Sequence, residues 1–240
     1  MIEGSTQSNC ALTVRAQYGN PSVSGSRPIT RSAPPSGDLE LGGAIQFVGT
    51  AMSFGADAEI YGDGEPANYL YKVIIGAVRT YKVLIDGRRQ VGGFYLPGDI
   101  FGLETGKEHT LSAEAITKCK VLVINHSALV ARARTDQEVA FQLWALTGRE
   151  LLRLQDHLLL LIKNAPERVA AFLLKMAERL STDNSVDLPM SRRDIADHLG
   201  LTIETVSRSL TQIENTGAIE FPSCRRFVLH DRSLLNRMNA

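Results

Sequence analysis

The sequence predicts an α+β chain: an N-terminal β-roll of jelly-roll type, a long helix, then a C-terminal winged helix-turn-helix. Three observations predict it. Between residues 41 and 129, short apolar segments recur about every ten residues with glycine at the corners, as in a barrel or jelly roll. Between residues 144 and 161, apolar side chains recur three and four apart. Residues 190–214 hold two short amphipathic segments around Gly200, and a hairpin pattern follows them. The expected divisions are a flexible tail over 1–38, the roll over 39–130, a dimerisation helix over 131–163 and a DNA-binding domain over 164–240.

Residues 1–38 are rich in Ser, Gly, Pro and Gln and lack apolar periodicity, so a mobile tail is expected there. In the roll, Tyr69–Ile75 reads as a buried strand that stops at Gly76. Residues 77–85 alternate and run into Asp86-Gly87, a hairpin turn signal. Residues 91–96, 111–116 and 119–124 complete a set of about eight strands. A plain β-sandwich with no ligand role shares this pattern.

Trp144, Thr147, Leu151, Leu154, Leu158 and Leu161 form an a/d seam of less than three heptads. Leu143, Leu146, Leu152, Leu159 and Leu160 widen the apolar surface beyond one stripe. Such a helix has two faces to cover, here its own roll and a partner helix; a monomeric core helix is the alternative. Asn164 and Pro166 then open a new helix to Leu180.

Ser191 and Asp194 form an S-x-x-D start. Gly200 ends that helix, and Thr202 caps the next. Val206, Leu210 and Ile213 seat the second helix on the first, which leaves Glu204, Ser207 and Arg208 near its free N-terminal end. Polar side chains at that end are what a recognition helix offers the major groove; an ordinary helical hairpin with a solvated face is the alternative. Residues 218–221 and 227–229 read as a wing, with Cys224, Arg225 and Arg226 at its tip.

The 240 residues carry 26 basic and 26 acidic side chains. Of these, 11 basic and 10 acidic lie from residue 163 onwards. Neither half has the bulk basicity of a nonspecific nucleic-acid coat. Local arginines at 192, 193, 208, 225 and 226 must supply DNA affinity. No apolar run has the length of a membrane span. Three distant cysteines, Cys10, Cys119 and Cys224, argue against a disulfide framework and for a reducing, cytoplasmic setting.

Order and motifs together resemble the cyclic-AMP receptor and fumarate-nitrate regulator superfamily. The resemblance runs over about residues 41–232 and is carried most specifically by Pro166-Glu-Arg-Val-Ala-Ala-Phe-Leu-Leu174 and Leu201-Thr-Ile-Glu-Thr-Val-Ser-Arg208. Glu-x-x-Ser-Arg on the second helix is most like the FixK-type regulators of rhizobia. The resemblance implies a cyclic-nucleotide-binding-like roll, a homodimer and a dyad of TTGAT-like half-sites, TTGAT-N4-ATCAA. It implies base contacts by Glu204, Ser207 and Arg208, and phosphate contacts by Arg192 and Thr205, to which Thr202, Arg225 and Arg226 are added by position. Arg208 suits guanine O6 and N7, and Glu204 suits a cytosine amino group. RNA polymerase contacts would fall at about residues 181–187 and 86–89. Ile203 stands where the cyclic-AMP receptor has an arginine, and Ser209 replaces the usual apolar residue.

Cyclic-nucleotide sensors of that superfamily carry Gly-Glu-Leu-Gly followed by Arg-Ser. Here residues 101–111 displace the carboxylate to Glu104 and lack the Arg-Ser pair. A phosphate buried there would be uncompensated. Three cysteines cannot ligate an iron-sulfur cluster as four do. His109, His126, His157, His198 and His230 are scattered, so no metal and no cofactor is expected. Cys224, beside Arg225 and Arg226, is the candidate redox residue. Rival readings are a receptor for an unnamed small molecule, a repressor, and a cupin-type enzyme, for which the clustered metal ligands are absent.

Overall fold

The computed structural model describes residues 49–104 and 106–239. The expected tail over 1–38 and Cys10 lie outside them. Eight strands build the roll: β1 (Thr50–Phe54), β2 (Glu59–Tyr61), β3 (Tyr69–Ile75), β4 (Val78–Val83), β5 (Arg89–Tyr95), β6 (Ile100–Phe101), β7 (Ser112–Ala115) and β8 (Cys119–Asn125). They form two antiparallel sheets, ordered β1-β8-β3-β6 and β2-β7-β4-β5. Val73, Val78, Phe101 and Val121 are buried between them with Tyr61, Tyr71 and Tyr95. Gly76 turns β3 into β4 at φ +87°, where a Cβ would sit 2.6 Å from the Lys118 carbonyl oxygen. Only glycine meets both demands.

The helical region opens in two pieces. Helix α1 (His126–Ala133) is capped by Asn125, and α2 (Gln137–Leu161) by Asp136. The break between them interrupts the single helix expected from residue 131. The Asp136 side chain accepts from the amides of Glu138 and Val139. That local bonding competes with helix continuation and restarts it.

Helix α3 (Ala165–Leu180) starts on a capping box between Asn164 and Glu167, with Pro166 in its first turn. Then come β9 (Ser185–Asp187), α4 (Arg192–Leu199), α5 (Ile203–Glu214), β10 (Ile219–Ser223), β11 (Arg226–Leu229) and α6 (Arg232–Met238). Strand β9 lies in a stretch that reads as turn. The turn is present, with Asp183 and Asn184 at positive φ, and β9 owes its form to pairing with β11, Val186 opposite Phe227. Helix α6, which carries no strong periodicity, is fixed by its Asp231 cap and by fully buried Leu235.

Val169, Leu173, Ile195, Leu199, Val206 and Phe227 form the core of this C-terminal part, and Val91 and Phe94 of β5 belong to the same cluster. Roll and winged helix therefore share one apolar core. Arg168 ties the junction. Its guanidinium donates to the carbonyls of Leu161 at 2.6 Å, Lys163 at 2.8 Å and Leu199 at 2.9 Å. A cation at the C-terminal ends of α2 and α4 also meets their negative dipole ends.

Candidate nucleic-acid interface

The two-helix unit is held by local chemistry at each joint. Ser191 Oγ accepts from the Asp194 amide at 3.1 Å, and Asp194 Oδ2 accepts from the Ser191 amide at 3.0 Å. Gly200 closes α4 at φ 64°, ψ 40°, a left-handed conformation that strains any residue with a Cβ. Thr202 Oγ1 accepts from the Thr205 amide at 3.2 Å and so satisfies one free donor of α5. Val206, Leu210 and Ile213 are buried against α3 and α4. Ser209 is buried as well, a small side chain packed where the resemblance implies an apolar one.

The opposite face of α5 is open. Thr202, Glu204, Arg208, Thr211 and Gln212 are exposed, and Thr205 and Ser207 are half-buried. The Glu204 carboxyl is held below its ordinary value by a backbone hydrogen bond at the helix start, the Thr202 side chain and the Arg208 charge. It is therefore a carboxylate, the acceptor form, at neutral pH. A shallow groove runs along Ser207, Arg208, Thr211, Gln212 and Asn215.

Beside this face, the Arg192 guanidinium lies 5.4 Å from the centre of the Phe221 ring. This stacking pre-orients the arginine at the base of the wing. Arg225 and Cys224 are exposed at the wing tip. Arg226 differs from Arg225: its Nε and Nη2 each donate to Asp187 at 2.7 Å. That fork-to-fork pair joins the wing to β9 and engages the donors that a phosphate would take.

On α2, Trp144 is 73% exposed and Leu158 64%. Thr147, Leu151 and Leu154 are exposed too, and Leu161 is half-buried. Val139 and Gln142 are the buried residues of this helix. Its seam is thus uncovered by the described part of its own chain, unlike a monomeric core helix.

Sequence reading missed the cluster behind α4. Arg79 and Arg89 of the roll converge on Asp194, at 3.3 and 2.6 Å. Arg89 also reaches Asp197 at 2.8 Å, and Arg79 reaches Glu114 at 2.6 Å. His198 completes the junction, with Nδ1 3.1 Å from the Val91 carbonyl oxygen. No local spacing signals these contacts, and those made to α4 join residues more than a hundred positions apart.

The roll encloses its own core between the two sheets. Aromatic rings fill it: Tyr71 stacks on Phe101 at 5.2 Å and Tyr61 on His109 at 3.6 Å. Burial drives the Tyr61 phenol far above its ordinary value and the Tyr71 phenol up to about 12. Glu104 stands 3.3 Å from His109 Nδ1. A packed, acidic-edged interior does not fit a sugar phosphate. Among the described residues no cluster of potential metal ligands is present, and no helix is long and apolar enough to cross a membrane.

This architecture, a roll sharing a core with a winged helix whose recognition face is open, defines a DNA-binding regulator. Comparison with known proteins makes the class specific. Residues 167–238 match the Crp-like helix-turn-helix domain, and residues 51–136 match the cyclic nucleotide-binding domain. The chain is 51% identical over 202 residues to the nitrogen fixation regulation protein FixK of Azorhizobium caulinodans, covering 82% of each. It is 44% identical to that of Rhizobium meliloti, covering 70% of this chain and 76% of the relative. The structure of FixK2 from Bradyrhizobium japonicum superimposes with a TM-score of 0.78 at 52% identity, over 80% of this chain and 98% of that one. The chain belongs to the CRP/FNR family of transcription regulators and, within it, is FixK-like. It is a regulator and not an enzyme.

Proposed function

We propose that the chain acts as a homodimeric transcription activator in the cytoplasm, binding a TTGAT-N4-ATCAA-like dyad without a cofactor and touching RNA polymerase. One observation carries the reading: Glu204 and Arg208 lie exposed one turn apart on the face of α5 opposite its buried side. An acceptor and a bidentate donor so placed can read a cytosine and a guanine in the major groove. In this reading Ser207 is the third base contact, and Arg192, Thr202, Thr205 and Arg225 take phosphates, as Arg226 does on release from Asp187. The apolar seam of α2 supports dimerisation, which a two-fold site requires. The aromatic filling of the roll supports action without a cyclic nucleotide.

Polymerase contacts belong to residues 181–187 and to the β4–β5 hairpin. In that hairpin Arg89 faces α4, so residues 86–88 are the free surface. Cys224 adds chemical control: oxidation at the wing tip would set negative charge against DNA phosphates. Gel shifts of the purified protein on the dyad test the reading. Binding without additives supports it, and no preference over a scrambled duplex rejects it. Peroxide should weaken binding by the wild type and not by Cys224→Ala; equal sensitivity would dismiss the thiol.

A further inference from the structure

A cavity of about 290 Å³ opens where β5, α2, α3 and the end of α4 meet. Its body is apolar, with Phe94, Leu154, Leu160, Phe172 and Met176 in the wall. Its polar groups are cationic in excess. Arg153, Lys163, Lys175 and Arg179 line it, against Glu150 and Asp156. Asp99 also approaches Arg153 at 3.5 Å and pairs with Arg179. With both histidines neutral, this leaves one positive charge uncompensated.

The polar groups are also under-partnered. Among the described residues, Arg153 Nη1 and His157 Nδ1 are buried without a hydrogen-bond partner, although Arg153 Nη1 has the Glu150 carboxylate at 3.6 Å. Lys163 bonds the Asn239 carbonyl, and Arg179 has Asp99. Lys175 makes no hydrogen bond or ion pair among the described residues, and burial lowers its ammonium below the ordinary value. Native proteins rarely leave such groups unmatched. His157 and His198 stack at 4.4 Å across the cavity wall. Because a carbonyl only accepts, His198 Nδ1 carries the proton toward Val91 and its other nitrogen is a bare acceptor.

We infer that this cavity is a binding site for a small organic monocarboxylate, whose carboxylate is held by Lys175 and Arg153 and whose apolar body lies among Phe94, Phe172 and Leu160. One excess charge matches a monoanion better than a phosphate dianion. The volume suits a body of roughly ten non-hydrogen atoms, at the small end of ligand pockets. Its walls come from the roll and from the DNA-binding part, so an occupant favours the arrangement of the two seen here. The site is separate from the roll interior and independent of how the recognition helix reads DNA.

Calorimetric titration and thermal melting of the full-length protein test this without DNA. The probes are cyclohexanecarboxylate and hexanoate, with cyclohexanecarboxamide as the uncharged match. We expect one site per chain, a raised Tm with a carboxylate, and at least tenfold weaker binding of the amide. Lys175→Met should weaken carboxylate binding at least tenfold. Ala171→Phe, which fills the cavity and leaves Lys175 in place, should abolish it. Absence of binding by both carboxylates to about 20 mM overturns the site. So does equal binding of the amide, or wild-type affinity in a folded Ala171→Phe protein.

Discussion

Arg89 of β5 donates to Asp194 of α4 at 2.6 Å, joining the roll to the first helix of the DNA-binding motif. The same carboxylate closes the capping box of α4 through Ser191 and receives Arg79 at 3.3 Å. Burial pushes the Asp194 carboxyl up, but the Ser191 hydrogen bonds and the two arginines outweigh it and hold it below the ordinary value. One side chain therefore both starts a helix and docks it. Asp194→Ala should cost about 2–4 kcal/mol, because it removes a cap and takes one carboxylate from each of two part-buried guanidiniums, which keep Asp197 and Glu114. Arg89→Ala should cost less, about 1–3 kcal/mol, since Asp194 keeps Arg79 and Ser191. Urea denaturation gives the order, and a larger loss in Arg89→Ala would contradict it.

Much of this molecule is legible in the order of its residues, and the limits have a common cause. The cap at Ser191, the turn at Gly200 and the seating of Val206, Leu210 and Ile213 are short-range, so spacing reveals them. So are the β4–β5 hairpin and the start of α3 at Asn164. Strand β9 depends on Phe227 and Arg226, forty residues away, and its own Ser-Val-Asp is too short to carry a pattern. The docking of α4 on the roll depends on Arg79, Arg89 and His198 meeting across the core. At the wing, the sequence places Arg225 and Arg226 side by side as equals. Pairing with Asp187 makes them different.

Arg208 is exposed on α5, and Glu204 precedes it by one turn on the same helix. Arg208→Ala should weaken binding to the dyad by about 1–3 kcal/mol per half-site and relax preference at a single base pair. Binding to random duplex should change far less. Selection of preferred sites from a randomised pool reads both effects, and unchanged preference at every position would exclude the assigned role.

Arg225 and Arg226 should separate in salt titrations. Arg225 is exposed and makes no ion pair among the described residues, so Arg225→Ala should lower the slope of log affinity against log salt by about one per wing. Arg226 is held by Asp187, so Arg226→Ala should change the slope less. Asp187→Ala should release Arg226 and raise the slope. Equal slopes for both arginine variants would show that the Asp187 pair opens on DNA.

Leu158 sits in the exposed seam of α2. Burying each such leucine against a partner helix contributes about 1.5–3 kcal/mol, and each substitution counts twice in a two-fold dimer. Leu158→Glu should therefore give a monomer in analytical ultracentrifugation with a folded roll and winged helix. Its affinity for the full dyad should fall to that for a half-site. A dimer of undiminished strength would move the interface elsewhere.

His198 is enclosed by Phe94, Phe172 and His157. Burial, with the neighbouring His157 adding to it, lowers its imidazole to about 3 from an ordinary 6.5. The unfolded chain therefore takes up a proton below about pH 6.5 that the folded chain refuses. Stability is complete above that pH and declines as pH falls toward 3, the sign of a base buried in neutral form. Each unit of difference corresponds to about 1.4 kcal/mol, so the loss from pH 7 to pH 5 should be about 2 kcal/mol. His157, lowered by burial and by Lys175, acts in the same direction. His198→Gln keeps a donor for the Val91 carbonyl and has nothing to titrate. Urea midpoints at pH 7 and pH 5 should differ by about 2 kcal/mol more in the wild type than in this variant. If both proteins lose the same stability over that interval, His198 binds its proton equally in the folded and unfolded chain, and the enclosure by Phe94, Phe172 and His157 does not depress its imidazole.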